Sequence, residues 1–202
     1  SPTDPSVNID DSDNAYGDGL LQLVGADALA YFHSDRMIRR FVATIDNLPL
    51  QEAPAGKMPV KPVGGPFLVE RNSAGMTIDP ANARRYVRYL EIMAAVDVRR
   101  LVDLYVGFYP VFQQAYRELG YPHGRFNDRV VDTLDDLLAT PDVAPPIAVT
   151  QPKVLYEFAD PALEKRSAGQ KIMLRMGADN MARAKRLLSA IRSELLRRSP
   201  GK

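Results

Sequence analysis

Apolar residues recur along most of this chain at three- and four-residue spacing, the signature of helices that bury one face. Between residues 35 and 48 the apolar set is Met37, Ile38, Phe41, Val42, Ile45 and Leu48, with Arg36, Arg39, Arg40 and Thr44 on the other face. Ser34 precedes this run and reads as its N-cap. A first helix is expected over 14–24, stopped by Gly25, and a short one over 26–32. Asp79-Pro80 sets an acidic cap before a proline at the first helical position. The helix it starts should run to about Val96 and bury Tyr86, Leu90 and Met93. Asp97 should cap a longer helix with a seam of Val98, Leu101, Tyr105, Phe108, Phe112, Ala115 and Leu119. Gly107 and Pro110 lie inside it, and a proline there should kink it. Asn127 is expected to cap a helix carrying Val130, Val131, Leu134, Leu137 and Leu138. Asp160-Pro161 starts a helical turn, and Ser167 with Gln170 fits a capping box for a helix to Met176. Gly177 separates that helix from a last one over 179–197, striped by Met181, Ala184, Leu188, Ile191 and Leu195.

The helical period fails in three places. Residues 49–66 hold Pro49, Pro54, Gly56, Pro59, Pro62, Gly64, Gly65 and Pro66, a density no helix survives. This stretch reads as a long loop, of the kind that is usually functional or disordered. Phe67–Glu70 and Met76–Ile78 flank Asn72-Ser73-Ala74-Gly75 and read as a β-hairpin. Ile147–Val149 and Val154–Tyr156, around Gln151-Pro152, read as two further short strands. Residues 1–14 are polar and acidic and read as a disordered lead-in. The pattern predicts a mainly α fold: a multi-helix globular bundle of seven or eight helices with one or two short β-hairpins, in a single domain over 15–198.

Bulk properties narrow the chemistry. A chain of 202 residues, 46% hydrophobic and 25% charged, suits one folded domain. The net charge of +1 lacks the basic excess of most nucleic-acid binders. There is no cysteine, which removes disulfides, thiolate metal sites and cysteine nucleophiles, and fits periplasm and cytosol alike. No run of about 18 apolar residues occurs, so no segment reads as a membrane span. The chain opens on Ser-Pro-Thr rather than Met, which reads as a trimmed start with a signal or anchor expected upstream.

Catalytic motifs are not found. His33 and His123 are the two histidines and make no ligand-spaced pair, so no metal site is expected. Gly64-Gly65-Pro66 is no phosphate cradle, because proline lacks the needed N–H. No G-x-S-x-G elbow is present. No catalytic residue and no cofactor is therefore expected. Asp132, Asp135 and Asp136 read as a solvated helix face, and would make a hydrolase pair only if two acids met in one cleft. From Lys165 onward the chain is basic, with Arg183, Lys185, Arg186, Arg192, Arg197 and Arg198 against Asp179 and Glu194 on the last helix. That face suits an anionic partner, or is neutralised by the acidic N-terminus or the Asp128–Asp136 helix. It lacks the aromatics that stack bases, so nucleic acid is not favoured. Tyr105, Tyr109 and Tyr116 suit the core, whereas Tyr121 and Tyr156 suit a pocket wall.

Several stretches together carry a resemblance. They are Arg39-Arg40-Phe41-Val42-Ala43-Thr44-Ile45-Asp46-Asn47-Leu48, Gly65-Pro66-Phe67, Ile78-Asp79-Pro80, Arg85-Tyr86, Ala115–Pro122 and Phe126-Asn127-Asp128-Arg129. The longest runs from Gln151-Pro152-Lys153-Val154-Leu155-Tyr156-Glu157-Phe158 through Asp160-Pro161 to Glu164, then Gln170-Lys171 and Leu174-Arg175-Met176-Gly177. Over about residues 18–196 the chain resembles a bacterial family catalogued as a domain of unknown function, numbered 3014. The resemblance implies a Gram-negative source and an envelope, periplasmic location behind an N-terminal anchor. It implies no activity and no catalytic residues.

Asp46, Asn47, Gln151 and Gln170 stand beside apolar runs, where such side chains commonly tie loop backbone but can also line a groove. The candidate binding residues are Arg40, Asp46, Asn47, Tyr121, Tyr156, Gln170, Lys171 and Arg175. The leading functional expectation is a non-enzymatic protein-interaction or scaffold domain of the bacterial envelope, meeting another envelope protein or an anionic partner. The second is a small-ligand or glycan-binding module with Tyr121, Tyr156, Arg40 and Arg175 about a pocket. The third is a carboxylate-based hydrolase.

Overall fold

The computed structural model describes residues 9–53 and 58–198. The expectations for residues 1–8 and for Pro54 and Gly56 lie outside them. Within them the chain is mainly helical, with α1 (Ile9–Val24), α2 (Ala26–Leu29), α3 (Met37–Asn47), α4 (Arg84–Ala94), α5 (Val98–Gly107), α6 (Tyr109–Glu118), α7 (Phe126–Leu138), α8 (Pro161–Glu164), α9 (Ala168–Arg175) and α10 (Ala178–Arg198). Strands β1 (Val69–Asn72), β2 (Gly75–Ile78), β3 (Ala148–Thr150) and β4 (Glu157–Phe158) form one antiparallel sheet in the order β1-β2-β3-β4. The two expected hairpins are thus joined edge to edge, with Met76 opposite Val149 and Thr77 opposite Ala148.

Carboxylate caps act as their sequence positions imply. Asp97 accepts from the amides of Arg99 and Arg100, Asp79 from that of Ala81, and Asp160 from that of Ala162. Ser167 accepts from the Gln170 amide, but the Gln170 side chain reaches Asp136 instead of closing the box.

Other expectations need correction. Helix α1 begins at Ile9, inside the stretch expected to be disordered, because Ile9 is buried in the core and the Ser12 hydroxyl bonds the Ile9 carbonyl. Ser34 does not cap α3. Arg36 holds the cap position in the left-handed region (φ 50°), and the Asp13 carboxylate accepts from the Ile38 amide across 3.4 Å. Asn127 is not a cap either: α7 starts one residue earlier, and Asn127 is buried with its side-chain oxygen facing the Tyr105 hydroxyl. The expected kinked helix is two helices, parted at Phe108, with Pro110 in the first turn of α6, where its missing N–H costs nothing. Val154–Tyr156 is not a strand; pairing falls on Glu157 and Phe158.

Three apolar clusters hold these elements together. The largest is aromatic and lies among α1, α3, α5, α6 and α7, around the fully buried Phe112 and Phe126, which stack 5.8 Å apart. A second joins Leu90, Leu137, Met173, Met176, Met181 and Ala184 from α4, α7, α9 and α10. The third seats the sheet, through Val149 and Phe158, on Leu163 and Leu174 of α8 and α9. Helix α9 therefore faces two cores through adjacent residues, Met173 and Leu174. It lies so close to its neighbours that a Cβ at Gly169 would sit 2.5 Å from Leu137 Cδ2 and 3.3 Å from the Leu48 carbonyl oxygen.

The Pro/Gly-rich loop is bound to the body along its described end. Val60 bridges Phe32, and the Tyr89 hydroxyl donates to the Lys61 carbonyl. The Arg85 guanidinium donates to the carbonyls of Val63, Gly64 and Gly65. Buried Asn82 clasps Leu68, taking its N–H at 3.0 Å and giving to its carbonyl at 2.6 Å. These two side chains set the entry to β1.

Candidate functional site

The candidate residues separate into four groups of partners. Arg40 donates to the carboxylate and carbonyl of Asp35, at the start of its own helix. That Arg40 contact holds the exposed Asp35 carboxyl below the ordinary carboxylate range.

Asp46 is buried and lies at the meeting of α3, α7 and the turn after α6. Arg129 Nε donates to it across 3.1 Å, and the Tyr121 hydroxyl donates across 3.1 Å. Arg129 also reaches the Asp46 carbonyl. The Asp46 charge, with that hydrogen bond, raises the Tyr121 pKa. The Tyr121 ring stacks on Tyr116, with centroids 4.6 Å apart. Asn47 points back to the Ala43 carbonyl and stays within its helix.

Gln170 belongs to a third group. Its amide nitrogen donates to the Asp136 carbonyl at 2.7 Å, and the Ser167 hydroxyl donates to the Asp136 carboxylate at 2.6 Å. Of the three acids once open to a catalytic reading, Asp136 is thus taken up in this tie, Asp135 pairs with Arg192, and Asp132 is exposed. The last helix is matched to its neighbours in the same way: Lys185 pairs with Asp142, and Arg198 with Asp103 and the buried Glu194.

The fourth group lies where α9 meets the inner face of the sheet. The Arg175 guanidinium stands 4.8 Å from the centre of the Phe158 ring and 6.0 Å from that of Phe67, and donates to the Tyr156 carbonyl at 3.1 Å. Such stacking on an aromatic face is a favourable place for a guanidinium. Burial nevertheless pushes its pKa down, and the charge of nearby Glu164 only partly opposes that shift. The Tyr156 ring packs on Phe67 with centroids 5.6 Å apart, and the Tyr156 hydroxyl takes a 3.3 Å contact from Arg71 on β1. Next to them Lys171 pairs with Glu164 at 3.0 Å, and Glu164 also accepts from the Phe158 amide at 2.8 Å. Sequence reasoning found Tyr156, Lys171 and Arg175 but missed Phe67 and Arg71, which join them only once the strand register is known.

Burial acts to raise the Glu164 pKa, but the Phe158 amide and Lys171 outweigh it, so the carboxyl titrates below its ordinary 4.5. A depressed carboxyl stabilises the fold above the unfolded pKa, and that contribution is lost as pH falls through the folded value. Glu164→Gln should therefore cost about 1–2 kcal/mol at pH 7. In urea unfolding across pH, the gap between the two proteins should begin to narrow as pH falls below the ordinary 4.5 and go on closing as Glu164 is protonated in the fold. A gap that stays constant from pH 7 to pH 3 would show that the carboxylate charge contributes nothing.

Two open cavities of about 420 Å³ are present among the described residues. One lies between α1 and the segment before α3, beside Asp13, Asp18, His33 and Met37; the other lies between α2 and α4, beside Val24, Arg88 and Ile92. Neither includes Arg40, Tyr121, Tyr156 or Arg175, so these four side chains do not share a pocket wall there. Among the described residues no three His, Asp or Glu side chains gather as a metal site would require, and no helix is long and apolar enough to cross a membrane.

The turn from Gln151 to Tyr156, between β3 and β4, leaves Val154 85% and Leu155 76% exposed. It is held at both ends: the Gln151 side chain donates to the Val154 carbonyl at 3.1 Å, and Arg175 holds the Tyr156 carbonyl. No curated protein and no solved structure matches the chain. A family profile matches residues 37–192, from the first residue of α3 into α10, leaving α1 and α2 outside. The chain belongs to that family, described as protein of unknown function (DUF3014).

Proposed function

We propose that this domain is a non-enzymatic protein-interaction module of the bacterial cell envelope, and that it docks through the 151–156 turn. The observation that carries the reading is the exposure of Val154 and Leu155 side by side. A single exposed aliphatic residue needs no explanation, but two in sequence, next to the half-buried Tyr156 and Phe67, make a contiguous apolar patch. Burying each such side chain stabilises a contact by about 1.5–3 kcal/mol. The turn is also fixed in shape by Gln151 and Arg175, so little conformational freedom is lost on docking. The envelope placement rests on the family resemblance.

The test is affinity capture from detergent-solubilised envelope of the source organism, with this domain and its Val154→Ser/Leu155→Ser variant as parallel baits. Both substitutions are at exposed positions, so the unfolding midpoint should not move. The reading expects a stoichiometric protein whose capture falls at least tenfold with the variant. Equal capture by both baits would end the assignment of docking to this turn.

A further inference from the structure

The chemistry of the partner can be read from how charge is sorted between the two faces of the sheet. Side chains alternate along a strand, so residues two apart share a face. Val69 pairs with Ile78, Arg71 with Met76, Met76 with Val149, and Val149 with Phe158. These residues lie on the inner face, where Val69, Met76, Ile78, Val149 and Phe158 pack toward α8 and α9. Glu70, Thr77, Ala148, Thr150 and Glu157 lie on the outer face by the same pairing. The sheet's two glutamates are therefore on one side, and Arg71 is on the other with Arg175.

At the inner-face edge both guanidinium groups bear on one aromatic pair. Arg175 faces Phe67 and Phe158, and Arg71 touches the Tyr156 hydroxyl at 3.3 Å and the Met76 sulfur at 2.8 Å. Neither has a carboxylate within 4 Å among the described residues, and the nearby Glu164 is already taken by Lys171. Most arginines of this chain with a described partner do meet an acid, as at Asp35, Asp46, Asp103, Asp135 and Glu118. Arg85 and Arg166 also lack an acid, and are held instead by three loop carbonyls and by the Gln170 side chain. Arg175 gives one N–H to the Tyr156 carbonyl and Arg71 meets the Tyr156 hydroxyl and the Met76 sulfur, so among the described residues both charges have neutral partners and no acid in contact.

We propose that Arg71, Phe67, Tyr156 and Arg175 form a carboxylate-recognition site, and that the docking partner presents an acidic peptide segment with an apolar residue beside the acid. This rests on the docking reading above. Arg175 is backed by the Phe158 ring and spends one N–H on the Tyr156 carbonyl, and the remaining N–H groups of its fork, with those of the exposed Arg71, are the donors a carboxylate would take. The adjoining Val154 and Leu155 receive the apolar neighbour.

The experiment is amide and arginine-side-chain NMR of the isotope-labelled domain, titrated with acetyl-Glu-Leu-Leu-Glu-amide. The glutamine counterpart, acetyl-Gln-Leu-Leu-Gln-amide, and inorganic phosphate are titrated in parallel. The expected result is a response centred on residues 67–71, 154–156 and 175, with the glutamate peptide at least tenfold tighter than the glutamine one. Arg71→Gln, at an exposed position, and Arg175→Lys, which keeps the charge but not the fork, should each abolish most of that difference. Equal binding of both peptides at 154–156 would overturn carboxylate recognition and leave the docking turn standing. Tighter binding of phosphate at the two arginines would overturn the peptide reading, as would a response at these residues to protein concentration alone, which would mark a contact between copies of the chain. No response to any probe would overturn the site, while the envelope capture decides separately whether the turn docks.

Discussion

Arg129→Met is expected to lower the unfolding free energy by about 3 kcal/mol, a cost set by the charge it abandons. Asp46 is 6% exposed, and without Arg129 its carboxylate would keep, among the described residues, the Tyr121 hydroxyl alone. The lower end of the range for broken buried pairs applies, because the Arg129 side chain itself is 23% exposed and water can reach part of the gap. The two residues are close enough to couple, so Asp46→Asn combined with Arg129→Met should cost less than the sum of the single changes. Urea unfolding of the four proteins measures that coupling. A loss under about 1 kcal/mol for Arg129→Met would mean that the pair behaves as a surface salt bridge.

The larger loss is expected at Phe112. Its ring is fully buried and meets four others: Tyr16 at 5.4 Å, Phe41 at 5.4 Å, Tyr105 at 5.3 Å and Phe126 at 5.8 Å. These rings come from α1, α3, α5 and α7, so collapse around a vacated site would require several helices to shift together. Phe112→Ala should therefore cost about 4 kcal/mol, toward the upper part of the range for such truncations. Phe112→Leu retains most of the volume and should cost well under half as much. Chemical unfolding followed by far-UV circular dichroism reads both. Near-equal stabilities of the alanine and leucine variants would show that this aromatic cluster tolerates a cavity.

The sequence was most legible where one short segment decides its own conformation. Asp79, Asp97 and Asp160 cap because a carboxylate two or three residues from free amides needs no help from elsewhere. The α7 stripe of Val130, Leu134 and Leu137 likewise announces its buried face. Legibility ended where the deciding partner is remote. Ser34 resembles a cap as well as Asp97 does, but Asp13 reaches the start of α3 from another helix. The run Val154-Leu155-Tyr156 has strand-forming residue types, yet the paired residues are the next two, because Phe158 fills the place opposite Val149. Asp46 stood out as a polar residue beside an apolar run, whereas its partner Arg129 was noted only as the end of the Phe126–Arg129 stretch and not as a site residue. The same limit hid half of the candidate site. Tyr156 and Arg175 drew notice singly, but only register brings Arg71 to the hydroxyl of Tyr156.

The connection from β2 to β3 has a consequence for when the binding edge can exist. It runs from Ile78 to Ala148 and passes through α4, α5, α6 and α7 before the sheet is completed. The inner-face strip then awaits α9 as well, since Arg175 holds the Tyr156 carbonyl and Leu174 seats the sheet. Contacts this distant in sequence are late to form. A chain emerging from the ribosome therefore shows β1 and β2 long before it shows a docking edge. The surface is complete only once α9 has packed beneath the sheet, so its presence certifies that α9 is in place.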